Sequence, residues 1–383
     1  MAEAAPTPPP LRVALAGLGF GEKVLLPALR DCPATEPVAL WHPRQERLDA
    51  ACQAADLPGH RDFDDLLADP AIEAVVIATP PAPRFDLARR ALEAGKPLLL
   101  EKPVALDAHQ VEDLQRLALA RRLTVAVDFE YRAVPVFQQL AALLEQGVLG
   151  EPWLVKLDWL MSSRADPARP WTWYSQAASG GGVLGALGTH AFDLLHWLVG
   201  PGTLQAARLS TAIRERPLPA AAPGERSRMA GVDAEDIALL QLDLEDRRGR
   251  VVPAQINLAA VTRQGRGCWL ELYGSEATLV LGSSNQADYV HGFQLWMARP
   301  GEALRLLEPD PALAWPRTWE DGRIAPVSRL LGWWAAAVQQ DRPMVPGLAE
   351  AALSQRLCDQ ARRFATACPP AGGGGWGGAG GIP

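Results

Sequence analysis

Lys102 closes the run Leu98-Leu99-Leu100-Glu101-Lys102-Pro103-Val104. Three consecutive leucines read as a strand buried on both faces, as in a parallel sheet covered by helices. A lysine at the carboxyl end of such a strand stands where open α/β sheets place their ligands, and the proline behind it cannot continue a ladder. An ammonium there can hydrogen-bond and polarise a hydroxyl or carbonyl oxygen. A second concentration of chemistry lies at His190 and Asp193, i and i+3 on one face of a segment with helical spacing from residue 183 to 198. A histidine titrates near neutrality and suits proton transfer. His190, Asp193 and His196 make a poor metal set, because i, i+3 and i+6 diverge around a helix; no metal is expected.

The elements that must position Lys102 precede it. Residues 11–16 form a short apolar strand that runs into Gly17-Leu18-Gly19-Phe20-Gly21, followed by helical spacing over 23–30. Strand, glycine turn and helix in that order are the context of a dinucleotide-binding turn: Gly17 for the tight turn, Gly19 for close backbone approach, and helix amides for the pyrophosphate. The spacing departs from G-x-G-x-x-G, since Glu22 takes the third position and a glycine comes one residue early at 21. A second strand, 36–41, ends in His42-Pro43-Arg44 with no acid to hold ribose hydroxyls. His42, Arg44 and nearby Arg47 favour NADP, with NAD left open. Further elements are a short acidic helix at 63–67, a buried strand at 74–78 ending in Thr79-Pro80, helices at 84–94 and 108–121, and a strand at 124–128. Strands alternating with helices at this pace imply a doubly wound parallel sheet.

After residue 128 the pattern changes. Phe129-Glu130-Tyr131-Arg132 leads to an amphipathic helix over 134–145 and an alternating strand over 153–160. Residues 164–174 form a polar, proline-broken loop with Arg164, Trp171, Trp173 and Tyr174; such rings can stack on the apolar face of a sugar. Strands are expected at 204–213, 236–244, 251–261, 268–273 and 278–281, with a mobile loop at 214–231 between the first two. Helices at 328–340 and 348–366 are expected to close this second half.

Gly17-Leu18-Gly19, Ala78-Thr79-Pro80, Ala94-Gly95-Lys96 and Glu101-Lys102-Pro103, in that order, resemble the glucose–fructose oxidoreductase/inositol dehydrogenase (Gfo/Idh/MocA) family over nearly the whole chain. The run from Gly180 to Asp193 resembles the family's glycine-rich signature ending in His-x-x-Asp. The resemblance implies a Rossmann domain (11–128) and a C-terminal α+β domain (129–368) with an open, mostly antiparallel sheet; the Ala-, Pro- and Gly-rich ends at 1–10 and 369–383 are expected from composition to be disordered. It implies Lys102 as the catalytic-site lysine, and His190 facing both nicotinamide and substrate hydroxyl. It also implies dimers or tetramers through the C-terminal sheet. Two positions depart from the family pattern: Arg84 replaces a common histidine, and Ala186 a common aspartate.

Composition bounds the rest. The 383 residues carry a net charge of −7, which gives no basic footprint for nucleic acid. Five cysteines without a Cys-x-x-Cys pair fit a reducing compartment rather than a disulfide framework. With no signal-like N-terminus and no membrane-length apolar run, a cytoplasmic protein is expected. The expected activity is an NAD(P)-dependent oxidoreduction of a sugar, cyclitol or related polyol. Lys102 and His190 would carry the chemistry. Gly17, Gly19, Phe20, Gly21, His42, Arg44, Thr79, Pro80, Glu101 and Lys102 would lie along the cofactor, and Tyr131, Arg164, Trp171, Trp173 and Asp193 beside the substrate. A cofactor-binding sensor without turnover, and a reductase of a non-sugar substrate resembling biliverdin reductase, stand as alternatives.

Overall fold

A computed structural model describes residues 8–219, 227–285 and 287–367. Most of the stretch 1–10 and the whole of 369–383, read from composition as disordered, lie outside the described residues.

The first half is a six-stranded, wholly parallel sheet of β1 (Leu11–Ala16), β2 (Thr35–Trp41), β3 (Gly59–His60), β4 (Ala74–Ile77), β5 (Leu98–Leu100) and β6 (Val125–Val127), in the order β3-β2-β1-β4-β5-β6. Its helices are α1 (Leu26–Asp31), α2 (Gln45–Ala55), α3 (Phe63–Ala68), α4 (Pro81–Glu93) and α5 (Ala108–Arg121). Leu98 and Leu100 bury into one covering layer and Leu99 into the other, which is why β5 reads as an unbroken apolar run. The strand order reverses between β1 and β4, so the crevice for a ligand opens at their carboxyl ends.

α6 (Pro135–Glu145) leads into an eight-stranded sheet. Its members are β7 (Pro152–Leu160), β8 (Gly202–Ser210), β11 (Ile237–Glu245), β12 (Val251–Ala259), β13 (Gly267–Gly274), β14 (Thr278–Ser283), β15 (Gln294–Ala298) and β16 (Arg305–Leu307). The order is β16-β15-β14-β13-β7-β12-β11-β8, antiparallel except for the β7–β12 pair. Val155, Leu157 and Trp159 alternate inward against Phe137 and Leu140 of α6 and Phe192 and Leu195 of α7 (Thr189–Leu198). No helix among the described residues is long and apolar enough to cross a membrane.

Two expectations are corrected. The segment 214–231 holds a two-stranded antiparallel ribbon, β9 (Glu215–Pro217) with β10 (Met229–Gly231). It is anchored because the buried Arg216 guanidinium donates to the carbonyls of Arg164 (2.6 Å) and Asp166 (2.7 Å). Strands of three residues are too short to show alternation. The helix α8 (Ile324–Gln339) closes not the second half but the first: Leu330, Leu331 and Trp334 share a core with Val13, Leu25 and Leu29. The helix α9 (Leu348–Ala367) spans both halves, with Leu348, Ala351 and Ala352 in one core and Leu357, Cys358 and Ala361 in the other.

Candidate active site

The turn after β1 is built for glycine. Gly17 has φ +106°, and a Cβ on it would lie 2.7 Å from Ala78 C and Thr79 N, so only glycine lets β1 and β4 close at this end. Its amide donates to the Trp41 carbonyl (3.2 Å), and the Ala78 amide to Ala16 (2.7 Å), knitting together the carboxyl ends of β1, β2 and β4. At Gly19 a Cβ would meet nothing within 4 Å: the backbone faces open space. Gly21 begins a π-helical turn (Gly21–Leu25), and a Cβ added there would lie 3.3 Å from Leu15 Cδ1. The early glycine thus supplies the tight helix–strand contact that the third glycine of the motif normally gives. Glu22, at the formal third position, instead pairs with Arg47, which also donates to the Leu18 carbonyl (2.8 Å).

Lys102 sits at the far side of the same crevice. Its ammonium donates to the Ala186 carbonyl (3.2 Å), in the π-helical turn Leu184–Gly188 that precedes α7. The loop carrying it is pinned from below by Arg84. This guanidinium is 3% exposed, and it donates to the carbonyls of Thr79, Glu101 and Pro103. Arg84 therefore spends Nη1 and Nη2 on backbone while its Nε is buried without a partner, and burial lowers its pKa to about 10. The Glu101 carboxylate accepts from the Lys102 amide (3.1 Å).

From the second half comes His190, buried in an aromatic cage with its ring edge-on to Tyr131 (4.9 Å between centroids) and Phe129 (6.0 Å). Burial first, and then the Lys102 charge, hold its imidazole well below the ordinary histidine value, so it rests neutral. Tyr131 pairs hydroxyl to hydroxyl with Tyr289. The Arg164 guanidinium stacks over Tyr174 at 3.8 Å from the ring centroid.

These groups line one cleft of about 600 Å³, the size of a small-molecule site. Gly17, Gly19, Phe20, His42, Thr79, Pro80, Glu101, Lys102, Tyr131, Arg164, Trp173 and His190 all line it. Gly21, Arg44, Trp171 and Asp193 are not among its lining residues. Asp193 is turned away by its own helix: three positions on from His190, it is clamped by Arg132 Nε (2.8 Å) and Nη2 (2.6 Å) as a buried ion pair. The Trp171 indole donates to the Gly231 carbonyl (2.9 Å), which fixes it to the ribbon. The exposed Arg44 occupies the N-cap position of α2, and its amide lies 3.1 Å from His42 Nδ1.

Sequence reasoning missed Glu130, Met161, Tyr289 and Arg323, which also line the cleft. Glu130 follows β6 after Asp128 and Phe129, near enough to the strand's carboxyl end for the rule that placed Lys102 to find it; Tyr289 and Arg323 arrive from distant segments that carry no local signal. The cleft fits a dinucleotide: Gly19 leaves its backbone open, and the buried Thr79 Oγ1 at the same sheet end has no hydrogen-bond partner. Among the described residues no cluster of His, Cys, Asp and Glu could hold a metal ion.

Known proteins agree with this architecture. The profile of an oxidoreductase family with an NAD-binding Rossmann fold matches residues 11–129, and that of the same family's C-terminal alpha/beta domain matches residues 141–366. An uncharacterized oxidoreductase of Synechocystis sp. is 43% identical over 352 residues, covering 92% of this chain and 93% of the relative. The D-apiose dehydrogenase of Paraburkholderia graminis is 26% identical over 340 residues, covering 87% and 82%. The structure of a levoglucosan dehydrogenase in complex with NADH and levoglucosan superposes with a TM-score of 0.81 at 23% identity, covering 93% of this chain and 97% of that one. Two profiles spanning both halves, on a sheet order and glycine turn that suit a dinucleotide, establish that the chain belongs to the Gfo/Idh/MocA family of NAD-binding oxidoreductases.

Proposed function

We propose that this protein is an NAD(P)-dependent dehydrogenase or reductase acting on the CH–OH or C=O group of a sugar, cyclitol or related polyol. The observation that carries the reading is the convergence of Lys102 and His190, from opposite halves of the chain, on the cleft that the glycine turn opens. The sugar dehydrogenases among its relatives support the substrate class. Gly17, Gly19 and Phe20 would hold the pyrophosphate, Thr79, Pro80 and Glu101 the nicotinamide half, and His42 the adenosine ribose. With no acid at the end of β2 and Arg44 at the head of α2, NADP is favoured over NAD.

When bound, the cofactor supplies hydride transfer. The protein does the rest. The Lys102 ammonium hydrogen-bonds the reacting oxygen and stabilises the charge that develops on it. His190 exchanges the proton of that oxygen, and the aromatic walls at Tyr131 and Trp173 exclude water and offer apolar faces to a ring.

We infer that a second copy covers the outer face of the eight-stranded sheet, giving a homodimer or homotetramer. On that face Trp269 and Trp296 stack at 5.6 Å, Leu239 is 46% exposed, and the carboxylate of Asp158 accepts from Lys156 and Asn257. Light scattering on the purified protein tests this. The free thiols of Cys32, Cys52, Cys268 and Cys358 favour a reducing, cytoplasmic setting.

The function is tested by nicotinamide absorbance of the protein with NADP(H) or NAD(H) against sugars, cyclitols and their keto forms. Turnover that disappears with Lys102→Ala supports the reading. Tight cofactor binding with no turnover across the panel would replace it with a sensor, or with a substrate outside the carbohydrates.

A further inference from the structure

Glu130 lines the cleft and has no task in the mechanism above. It opens the single 3-10 turn Glu130–Ala133 after β6 and is 4% exposed. Its Oε2 has no hydrogen-bond partner and lies 3.5 Å from His190 Nε2. His190 Nδ1 is likewise buried without a partner. Two titratable side chains, both sealed from water and meeting at the wall of one cleft, carry more unsatisfied polarity than a structural contact needs. Ala186, across the cleft, offers only its carbonyl, which is taken by Lys102.

We propose that Glu130 and His190 form one acid–base pair, in which the carboxylate of Glu130 holds the proton that His190 exchanges with the reacting oxygen. The proposal rests on the dehydrogenase reading and adds the place where the proton is kept. In oxidation the O–H bond of the substrate breaks and its proton passes by way of the imidazole to Glu130. The electron pair of the adjacent C–H bond leaves as hydride to the nicotinamide. The pair gains one proton, which returns to water after product leaves; reduction runs the same transfers backward.

The surroundings decide which partner keeps the proton. Lys102 and Glu101 face the pair from the end of β5, Asp128 from the end of β6, Arg323 from the head of α8, and the Tyr131 and Tyr289 hydroxyls from the side. A cation beside a buried imidazole disfavours imidazolium. A buried carboxyl favours its neutral form: burial lifts Glu130 to about 7, against the pull of Lys102. The proton therefore rests on oxygen, and Glu130 is poised to take and release it near neutral pH.

The test has two readings. In cofactor-free protein with ¹³C-labelled glutamate carboxyls, a resonance titrating near neutrality and lost in Glu130→Gln is expected. His190→Asn should move its midpoint, an assignment that holds even if Glu130→Gln does not fold. In the active enzyme, Glu130→Gln should flatten the neutral limb of the kcat/KM pH profile and lower kcat roughly 10²-fold, with cofactor KM within about twofold. A Glu130 carboxyl titrating only in the ordinary acid range, or a Glu130→Gln enzyme with an unchanged pH profile, would overturn the proposal. If Lys102-dependent turnover persists while Glu130→Gln changes nothing, the pair fails and the dehydrogenase reading stands. If no substrate turns over, the carboxyl titration still decides the pair.

Discussion

Lys102 Nζ reaches the carbonyl of Ala186 at 3.2 Å, joining the end of β5 to the turn that launches His190. The contact links the two halves of the molecule inside the cleft, so the ammonium is already placed before any substrate enters. Removing it should affect rate far more than fold. For Lys102→Ala we expect turnover to fall roughly 10²–10³-fold, the usual cost of losing a donor to a developing oxyanion. Cofactor affinity and thermal midpoint should change little. Steady-state kinetics beside a cofactor titration check this; activity within a few-fold of the parent would remove Lys102 from the chemistry.

Arg84 lines the cleft, yet both its terminal nitrogens are spent on the carbonyls of Thr79, Glu101 and Pro103. We therefore expect it to hold the Lys102 loop rather than bind substrate. Arg84→Met orphans three buried acceptors and should cost about 3 kcal/mol of stability, read as a shift in urea midpoint. A shift worth less than about 1 kcal/mol would mean that these carbonyls find other partners readily.

The strands of the first sheet and the glycine turn were legible because a buried parallel strand and a φ-positive turn each leave a local mark, at Leu98–Leu100 and Gly17. The positions of Lys102 and His190 on the cleft were legible at a strand end and on a helical pattern, whereas the roles expected of them came from the family resemblance. Asp193 was misplaced because helical spacing fixes only which residues share a side; it does not reveal that Arg132, sixty-one residues upstream, captures one of them. Arg84 shows the converse. Its sequence position marked it as a departure, and only the fold shows three carbonyls converging on it. Tyr289 and Arg323 were illegible because long-range packing alone brings them in.

Asp128 is fully buried beneath the site, with the carboxyl of Glu101 beside its own. Burial, with Glu101 and Glu130 adding negative charge nearby, raises its pKa well above the ordinary aspartate range. The folded state thus binds this proton more tightly than the unfolded chain does. The stabilisation is complete below the unfolded value and is lost as pH rises toward the folded one. Asn keeps the shape and has no proton to lose. Asp128→Asn should match the parent near about pH 4 and gain on it steadily toward about pH 8. Thermal midpoints across that range test the sign: an advantage confined to acid pH would show that Asp128 is ionised in the fold.

Gly17 and Gly19 separate fold from binding. A methyl group at Gly17 would lie 2.7 Å from Ala78 C and Thr79 N, on a backbone with φ +106° that an L side chain resists. Gly17→Ala should therefore lose on the order of 1–3 kcal/mol or more of stability as β1 and β4 are pushed apart. At Gly19 the same methyl meets no atom of the protein and projects into the cleft. Gly19→Ala should leave the thermal midpoint of the free protein unchanged while weakening nicotinamide dinucleotide binding by about tenfold, because backbone can no longer approach the pyrophosphate. Calorimetric titration of both variants with NADP and NAD decides the matter. Undiminished binding by a folded Gly19→Ala protein would place the pyrophosphate elsewhere than over this turn, and with it the cofactor orientation on which the roles of His42 and Thr79 depend.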